Sequence, residues 1–350
     1  MDMHTDPIRS APIDLQPSGV PHTALSRQRR WGFRIVAMSG SLTATLVGLE
    51  LVLRLVTPPP APIPRDSGDN AGAVDTTRNS LGLREPWERV PGGADAIRIA
   101  FLGDSFTFAA CVEQRDGFVD KVERLLNAQA PPNGAGYVTI NLGQPGTDPL
   151  VQSETYVTLK DQLKPYVLVH VAYCNDLGHD LYDELKLIHA LENRRSVAAQ
   201  LSYIWRFVEG RVRYARVKTR TLDYFRGGDS PFKRRRAWDR FRGGIERAGD
   251  AASLDGTRYV LVMFPWLYSL DDYPLADVHD GVRRLAQELN VPFLDLLDTF
   301  AGLDASELRV SVIDEHPNPR AHTLAAQAIA RFLVTNNLLV SPKRDDGTRS

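Results

Sequence analysis

A chain of 350 residues that is 43% apolar and 24% charged has the material for one large globular domain with attachments, and does not have the composition of a disordered or fibrous protein. Its formal net charge of −1 gives no bulk electrostatic argument for a nucleic-acid partner. Two cysteines, Cys111 and Cys174, with no HExxH motif and no Cys/His cluster, argue against metal catalysis, and no metal or other cofactor is expected.

In chain order, residues 1–34 are polar, rich in Pro, Ser and His, and read as a disordered tail. Ile35 to Val56 is mostly apolar and long enough to cross a bilayer, which takes about 20 apolar residues. Glu50 and Arg54 interrupt it, but they stand four apart, where they can pair on one helical face near its far end. A buried core helix and a cleaved export signal are the competing readings. No A-x-A site follows, and the surroundings of Arg29-Arg30 match a twin-arginine signal poorly. Arg27, Arg29, Arg30 and Arg34 precede the apolar run, so a single-pass anchor would keep the tail in the cytoplasm and carry the rest to the periplasmic, extracytoplasmic side of the inner membrane. Residues 57–78, rich in Pro, Gly and Asp, form a semi-stiff linker.

From residue 79 to 340 strands and helices alternate. Strands are expected at Ile97–Leu102, Tyr137–Leu142, Tyr166–Tyr173, Tyr259–Phe264 and Pro292–Leu296. Between them lie helices over Gly117–Asn127 and Leu150–Leu163, a helical face formed by Val278, Val282, Leu285 and Leu289, and a last helix with Leu324, Ala325, Ala328, Ile329, Phe332 and Leu333 on one side. Such alternation predicts an α/β fold with a mostly parallel five-stranded sheet and helices on both faces. Residues 193–250 read as an insertion, with about sixteen Arg and Lys against six or seven Asp and Glu, interleaved with Tyr203, Trp205, Phe207, Tyr214, Tyr224, Phe225, Trp238 and Phe241. This pattern suits a solvated helical cap, a surface for lipid head groups or anionic glycan, or a nucleic-acid surface. An extracytoplasmic location removes the last of these.

Four blocks carry the chemistry. Gly103-Asp104-Ser105 ends the first strand, Asn141-Leu142-Gly143-Gln144-Pro145-Gly146 ends the second, Asn175 follows the third, and Asp314-Glu315-His316-Pro317-Asn318 precedes the last helix. Ligands in open α/β sheets collect at the carboxyl ends of strands, where all but the last of these stand. In this order the blocks resemble the SGNH/GDSL hydrolase superfamily from about Asn79 to Asn336. The resemblance implies a three-layer α/β/α flavodoxin-like sandwich with Ser105 as nucleophile and His316 as base. Asp314 would orient the base. The commonest family pattern has Asp three residues before the His, but Ile313 stands there, and the D-x-H spacing resembles a subset that includes proteins of alginate O-acetylation. Glu315 is the competitor for this role, and its adjacency to His316 is awkward. The oxyanion donors implied are the N–H of Ser105, the N–H of Gly146 (Gly143 being the alternative) and the side-chain amide of Asn175.

The remaining polar residues have plainer readings. Asp104 shapes the turn, Asn318 caps the last helix with Pro319 in its first turn, and His322 packs or caps. Related chains often have Gly where Cys111 stands. Cys111 and Cys174 either form a disulfide or stay as buried thiols. Three functions fit this set: a serine esterase acting on O-acyl, chiefly O-acetyl, esters of an envelope glycan or lipid; an O-acyltransferase that passes the acyl group to a sugar hydroxyl and needs a multi-spanning acyl-donor partner; and a non-catalytic glycan-binding scaffold.

Overall fold

Runs of apolar residues become strands where they are covered on both faces, which leaves few positions for polar side chains. The computed structural model describes residues 27–56, 74–88, 90–91, 95–129, 136–178, 196–311 and 314–340, with the side chains at 200, 210, 213, 214 and 217 left aside. The first 26 residues of the expected tail, the linker up to residue 73, the start of the basic stretch at Asn193 and Ile313 lie outside these residues, while residues 27–34, expected as the end of the tail, are helical.

The elements in chain order are α1 (Arg27–Val56), β1 (Ile97–Gly103), α2 (Ser105–Phe108), α3 (Phe118–Asn127), β2 (Tyr137–Gly143), α4 (Pro149–Leu163), β3 (Val167–Tyr173), α5 (Asn175–Gly178), α6 (Val197–Leu201), α7 (Tyr203–Phe225), α8 (Pro231–Leu254), β4 (Arg258–Phe264), α9 (Ala276–Glu288), β5 (Phe293–Asp295), α10 (Leu297–Phe300) and α11 (Pro319–Thr335). Two compact units contain them. One comprises Pro62–Ser196 with Val208–Ser350, the other Met1–Ala61 with Val197–Phe207.

In the larger unit the sheet order is β2-β1-β3-β4-β5, and every pairing is parallel. This is the flavodoxin-like order, and it reverses between β1 and β3, where α/β sheets open a crevice at the strand ends. The register brings the ends of β1 and β2 level, with Gly103 opposite Gly143, and sets Gly103 opposite Val171, two residues before the end of β3. Alternation along the strands builds two separate interiors. Ile99 and Phe101 of β1 and Val167, Val169 and Val171 of β3 pack with Phe118 and Val122 of α3 and Ile329 and Leu333 of α11. Ala100, Leu102 and Leu168 point the other way and pack with Tyr156 and Leu163 of α4 and Ala248 and Ala252 of α8.

This placement of α8 divides the stretch read from sequence as an insertion. α8 starts at a Ser230 cap with Pro231 in its first turn, and it buries Phe241, Gly244, Ile245, Ala248, Ala251 and Ala252. It is the crossover helix that returns the chain to β4, and its arginines are the wet side of a helix with one apolar face. The addition to the sandwich therefore ends before Pro231.

In the smaller unit α1 runs for 30 residues with none buried, about 45 Å at 1.5 Å per residue. Its most apolar window has a mean hydropathy of 1.7, enough for a membrane span by length and composition. The Thr43 and Thr45 hydroxyls donate to the carbonyls of Ser39 and Ser41, one turn back, so they present no unsatisfied donor to an apolar surrounding.

The α8–α4 contact is close enough to test. A Cβ at Gly244 would lie 2.3 Å from the carbonyl carbon of Pro149 and 2.4 Å from the amide of Leu150, whereas one at Gly243 meets nothing within 4 Å. Gly244→Ala is expected to destabilise the sandwich by about 1–3 kcal/mol through overpacking. Gly243→Ala should stabilise it by up to about 1 kcal/mol through helix propensity alone. Thermal unfolding of the two variants checks the opposite signs.

Candidate active site

Ser105 owes its position to three local features. β1 delivers it to the sheet edge and Gly103 ends the strand. Asp104 then caps α2, its carboxylate accepting from the Phe106 N–H at 2.9 Å. Asn141, from the second block, locks this turn to the next strand: its amide donates to the Thr107 carbonyl at 2.8 Å, and its oxygen accepts from the Gly143 N–H at 2.9 Å. A Cβ at Gly143 would lie 2.2 Å from the amide nitrogen of Phe108, so only glycine lets α2 sit this close to β2.

His316 comes from the far end of the chain. Its loop is pinned by the Val310 N–H donating to the His316 carbonyl at 2.9 Å and by Asn318, which caps α11 by accepting from the N–H groups of Arg320 and Ala321. His316 Nε2 lies 3.0 Å from Ser105 Oγ, and His316 Nδ1 lies 2.6 Å from Asp314 Oδ1, which also accepts from the His316 N–H at 3.0 Å. The two-residue spacing thus closes a ring in which one carboxylate oxygen holds both the backbone and the ring of the same histidine. Glu315 faces elsewhere and accepts from the Trp266 indole N–H.

Asn175 lies in reach of the same turn. Its amide donates to Asp104 Oδ2 at 3.0 Å, and its own carbonyl oxygen is buried without a hydrogen-bond partner. Asp104 is 1% exposed. Burial raises its pKa, opposed by the hydrogen bonds from the Phe106 N–H and the Asn175 amide. Gly146 stands in the turn after β2, with φ +74° and open space around its Cα. The structure therefore brings Ser105, His316 and Asp314 into one hydrogen-bonded line and Asn175 beside Asp104. Gly146 is on the same edge of the sheet.

Several partners have no signal in the sequence. Arg84, 2% exposed, donates to the carbonyls of Phe108 at 3.1 Å, Ala109 at 2.8 Å and Val112 at 2.9 Å, so one guanidinium gathers the loop after Ser105. Beside it Glu85 accepts from the Asn141 N–H at 2.7 Å, and burial pushes its pKa up to about 8. A buried Arg-Glu pair ahead of the first strand has no family motif to flag it.

Cys111 also takes a different place from the disulfide reading. Both thiols are free, with Cys174 buried. Cys111 Sγ donates to Asp314 Oδ2 at 3.3 Å, the oxygen that His316 does not use. Its φ is +66°, in the left-handed region where glycine is at ease. Cys111, Asp314 and His316 each bring one ligand-type atom within 4.8 Å of the others, and among the described residues they are the group with metal-binding geometry. Those atoms are engaged with one another instead.

Burial opposes protonation of His316, but the hydrogen bonds to Asp314 and Cys111 outweigh it and raise its pKa, while the bond from His316 holds Asp314 down at about 2. The arrangement favours the imidazolium that proton transfer from Ser105 would create. His322 is different. It is fully buried, accepts from the Phe118 N–H at 3.2 Å and is held neutral, its pKa lowered by burial to about 3.

No family model matches the chain, and no curated protein matches it. Solved structures do. TesA aligns with TM-score 0.43 and 14% identity over 69% of this chain and 99% of its own. Axe2, an acetylxylan esterase from Geobacillus stearothermophilus, aligns with TM-score 0.42 and 16% identity over 70% and 96%. The psychrotrophic esterase EstA from Pseudoalteromonas sp. aligns with TM-score 0.41 and 13% identity over 69% and 98%. The likeness is one of fold.

The interaction of Cys111 with His316, which helps raise the histidine pKa, gives a prediction in pH. The kcat/KM of the wild type towards 4-nitrophenyl acetate is expected to rise with pH to a midpoint above the ordinary histidine value of about 6.5, because only neutral imidazole accepts the serine proton. Cys111→Ala should move that midpoint down, and Asp314→Asn should move it further down while cutting kcat by about 10³–10⁴. A midpoint unmoved in Cys111→Ala would show that the thiol does not act on the histidine.

Proposed function

We propose that this chain is a membrane-anchored serine esterase of SGNH/GDSL type that hydrolyses O-acyl esters. The observation that carries the reading is the unbroken line from Ser105 Oγ through both nitrogens of His316 to Asp314, with separations of 3.0 and 2.6 Å. Ser105 Oγ attacks the ester carbonyl carbon as its proton passes to His316 Nε2, and Asp314 stabilises the imidazolium. The negative charge moves to the carbonyl oxygen, where the Ser105 N–H, the Gly146 N–H and the second N–H of the Asn175 amide would meet it. As the tetrahedral adduct collapses, the acyl C–O bond to the alcohol breaks and His316 Nε2 returns the proton to the departing alkoxide. Water then attacks the acyl-serine as its proton passes to His316 Nε2, and when the acyl–Oγ bond breaks the acid leaves and that proton returns to Ser105 Oγ. Only the groups named here are needed for these steps.

The substrate is an O-acetylated glycan of the cell envelope, presented on the extracytoplasmic side of the membrane spanned by α1. Support for the location is the apolar α1, none of whose residues is buried, with its basic N-terminal flank. Support for a sugar is an aromatic platform on the histidine side of the site. Tyr268, 43% exposed, stacks on Trp266 with ring centroids 5.3 Å apart and carries the Arg309 guanidinium 4.4 Å from its ring. Trp266 in turn bonds Glu315, the neighbour of His316. Aromatic and polar groups gathered beside a site in this way suit a ligand with both apolar and hydroxyl-bearing faces, and Arg309 joins the same strand-like bridge to Pro317 that holds the histidine loop.

The test uses the full chain in detergent micelles. Ser105→Ala should abolish turnover of 4-nitrophenyl acetate and labelling by a serine-directed phosphonate, and Asn175→Ala should cost about 10²–10³ in kcat, the usual loss of one oxyanion donor. Turnover retained in Ser105→Ala overturns the proposal. Acetyl transfer onto an added unacetylated glycan, in place of acetate release, would move the assignment to an acyltransferase that uses the same residues.

A further inference from the structure

Glu50 is a carboxylate in the last third of an apolar helix, a placement that costs several kcal/mol in a bilayer unless the charge finds partners. The structure supplies four. The Tyr203 and Ile204 backbone N–H groups donate to it at 2.9 and 3.0 Å, the Ser202 hydroxyl at 3.0 Å, and Arg54 Nε, one turn along α1, at 3.0 Å. Those two N–H groups belong to the first turn of α7, where helical donors have no intrahelical acceptor and the helix end is partly positive. Glu50 is thus the acceptor for the start of a second helix. Arg54 completes the joint: its Nη2 donates to the Leu201 carbonyl at 3.1 Å, and its guanidinium lies 5.3 Å from the Tyr203 ring.

This joint fixes a depth. Glu50 stands six residues before the end of α1, about 9 Å along the axis, so residues 197–207 are held beside the final turns of the anchor. The side chains there are those of an interface. Val197 and Leu201 are 70% and 71% exposed, and Trp205 and Phe207 are 50% and 55% exposed. Leu51, Val52, Leu55 and Val56 of α1 are exposed as well. Arg206, its guanidinium 4.2 Å from the Tyr203 ring, adds a cation at the same level. Exposed aliphatic residues, a tryptophan and arginines at the end of a span are what the boundary between acyl chains and head groups accommodates.

We propose that residues Val197–Phe207 form a second membrane contact, lying in the outer head-group boundary with Val197, Leu201, Trp205 and Phe207 towards the acyl chains, and that Glu50 is the positioning residue that holds them there. The contact rests on the reading of α1 as a span. It gives the basic-aromatic stretch a lipid bilayer as its partner, in place of solvent or glycan.

The experiment reconstitutes the full chain into phosphatidylcholine/phosphatidylglycerol (3:1) vesicles with brominated acyl chains and reads tryptophan quenching. The wild-type minus Trp205→Phe difference isolates Trp205. The Leu42→Trp minus wild-type difference isolates a reporter in the middle of α1. The expected result is strong quenching of the α1 reporter by bromines near the chain ends and of Trp205 by bromines near the head groups, with little iodide quenching of either. Glu50→Gln, which weakens the acceptor without changing its shape, should raise iodide quenching of Trp205 severalfold and leave quenching of the α1 reporter unchanged. An α1 reporter quenched by lipid while Trp205 responds to iodide alone overturns the surface contact and spares the anchor. Both responding to iodide overturns the anchor and the contact together. Trp205 quenched by lipid equally in wild type and Glu50→Gln overturns the role of Glu50.

Discussion

The site depends on one buried carboxylate. Asp104 stands between the end of β1 and the end of β3, accepting from the Phe106 N–H on one side and from the Asn175 amide on the other. Taking a carboxylate out of water is unfavourable, and its donors are what make that position tenable. The consequence is rigidity. With Asp104 in place, the turn that presents Ser105 and the residue proposed to meet the oxyanion share an anchor, and their separation does not depend on loop motion. Phe106, the next residue after Ser105, stacks on Tyr173 with centroids 4.1 Å apart and closes the floor beneath them. A serine nucleophile gains from such a setting because preorganised donors need no rearrangement when charge develops.

Much of this is legible in the residues themselves. Parallel strands buried on both faces are apolar almost throughout, so β1, β2 and β3 stand out from their surroundings, and their polar terminal residues mark the sheet edge. The last helix announces its own start through Asn318-Pro319, and with it the loop that carries His316. The pairing of Asp314 with His316 is suggested in the sequence only by a D-x-H pattern that resembles one subset of a family, and the structure shows one carboxylate oxygen reaching both the backbone and the ring of the histidine. Asp104 and His322 also have the structural roles that their sequence positions suggest.

Other parts are hidden because they depend on distance in space. Arg84 looks like any charged residue ahead of a domain, and only the fold shows three carbonyls converging on it. Cys111 suggests a disulfide because it lies near Cys174 in the pattern of strand ends, but its backbone turns the thiol to Asp314 instead. α8 misleads for a physical reason: arginines on its wet side dominate the composition, while its packing face is made largely of alanine and glycine, which carry little hydrophobic signal. A helix that lies close against another needs small residues at the contact, and they are the ones a hydropathy reading passes over.

The line from Ser105 to His316 joins residues 211 apart in sequence. Pairings this distant form late, because a long stretch of chain must be ordered before they yield any stabilisation. On the proposed reading, the serine has no base until α11 docks against α3. On the proposed route, in which the chain crosses a membrane as an extended polypeptide, this topology acts as a timing device: a chain still in transit, or one stalled partway, cannot attack the esters around it.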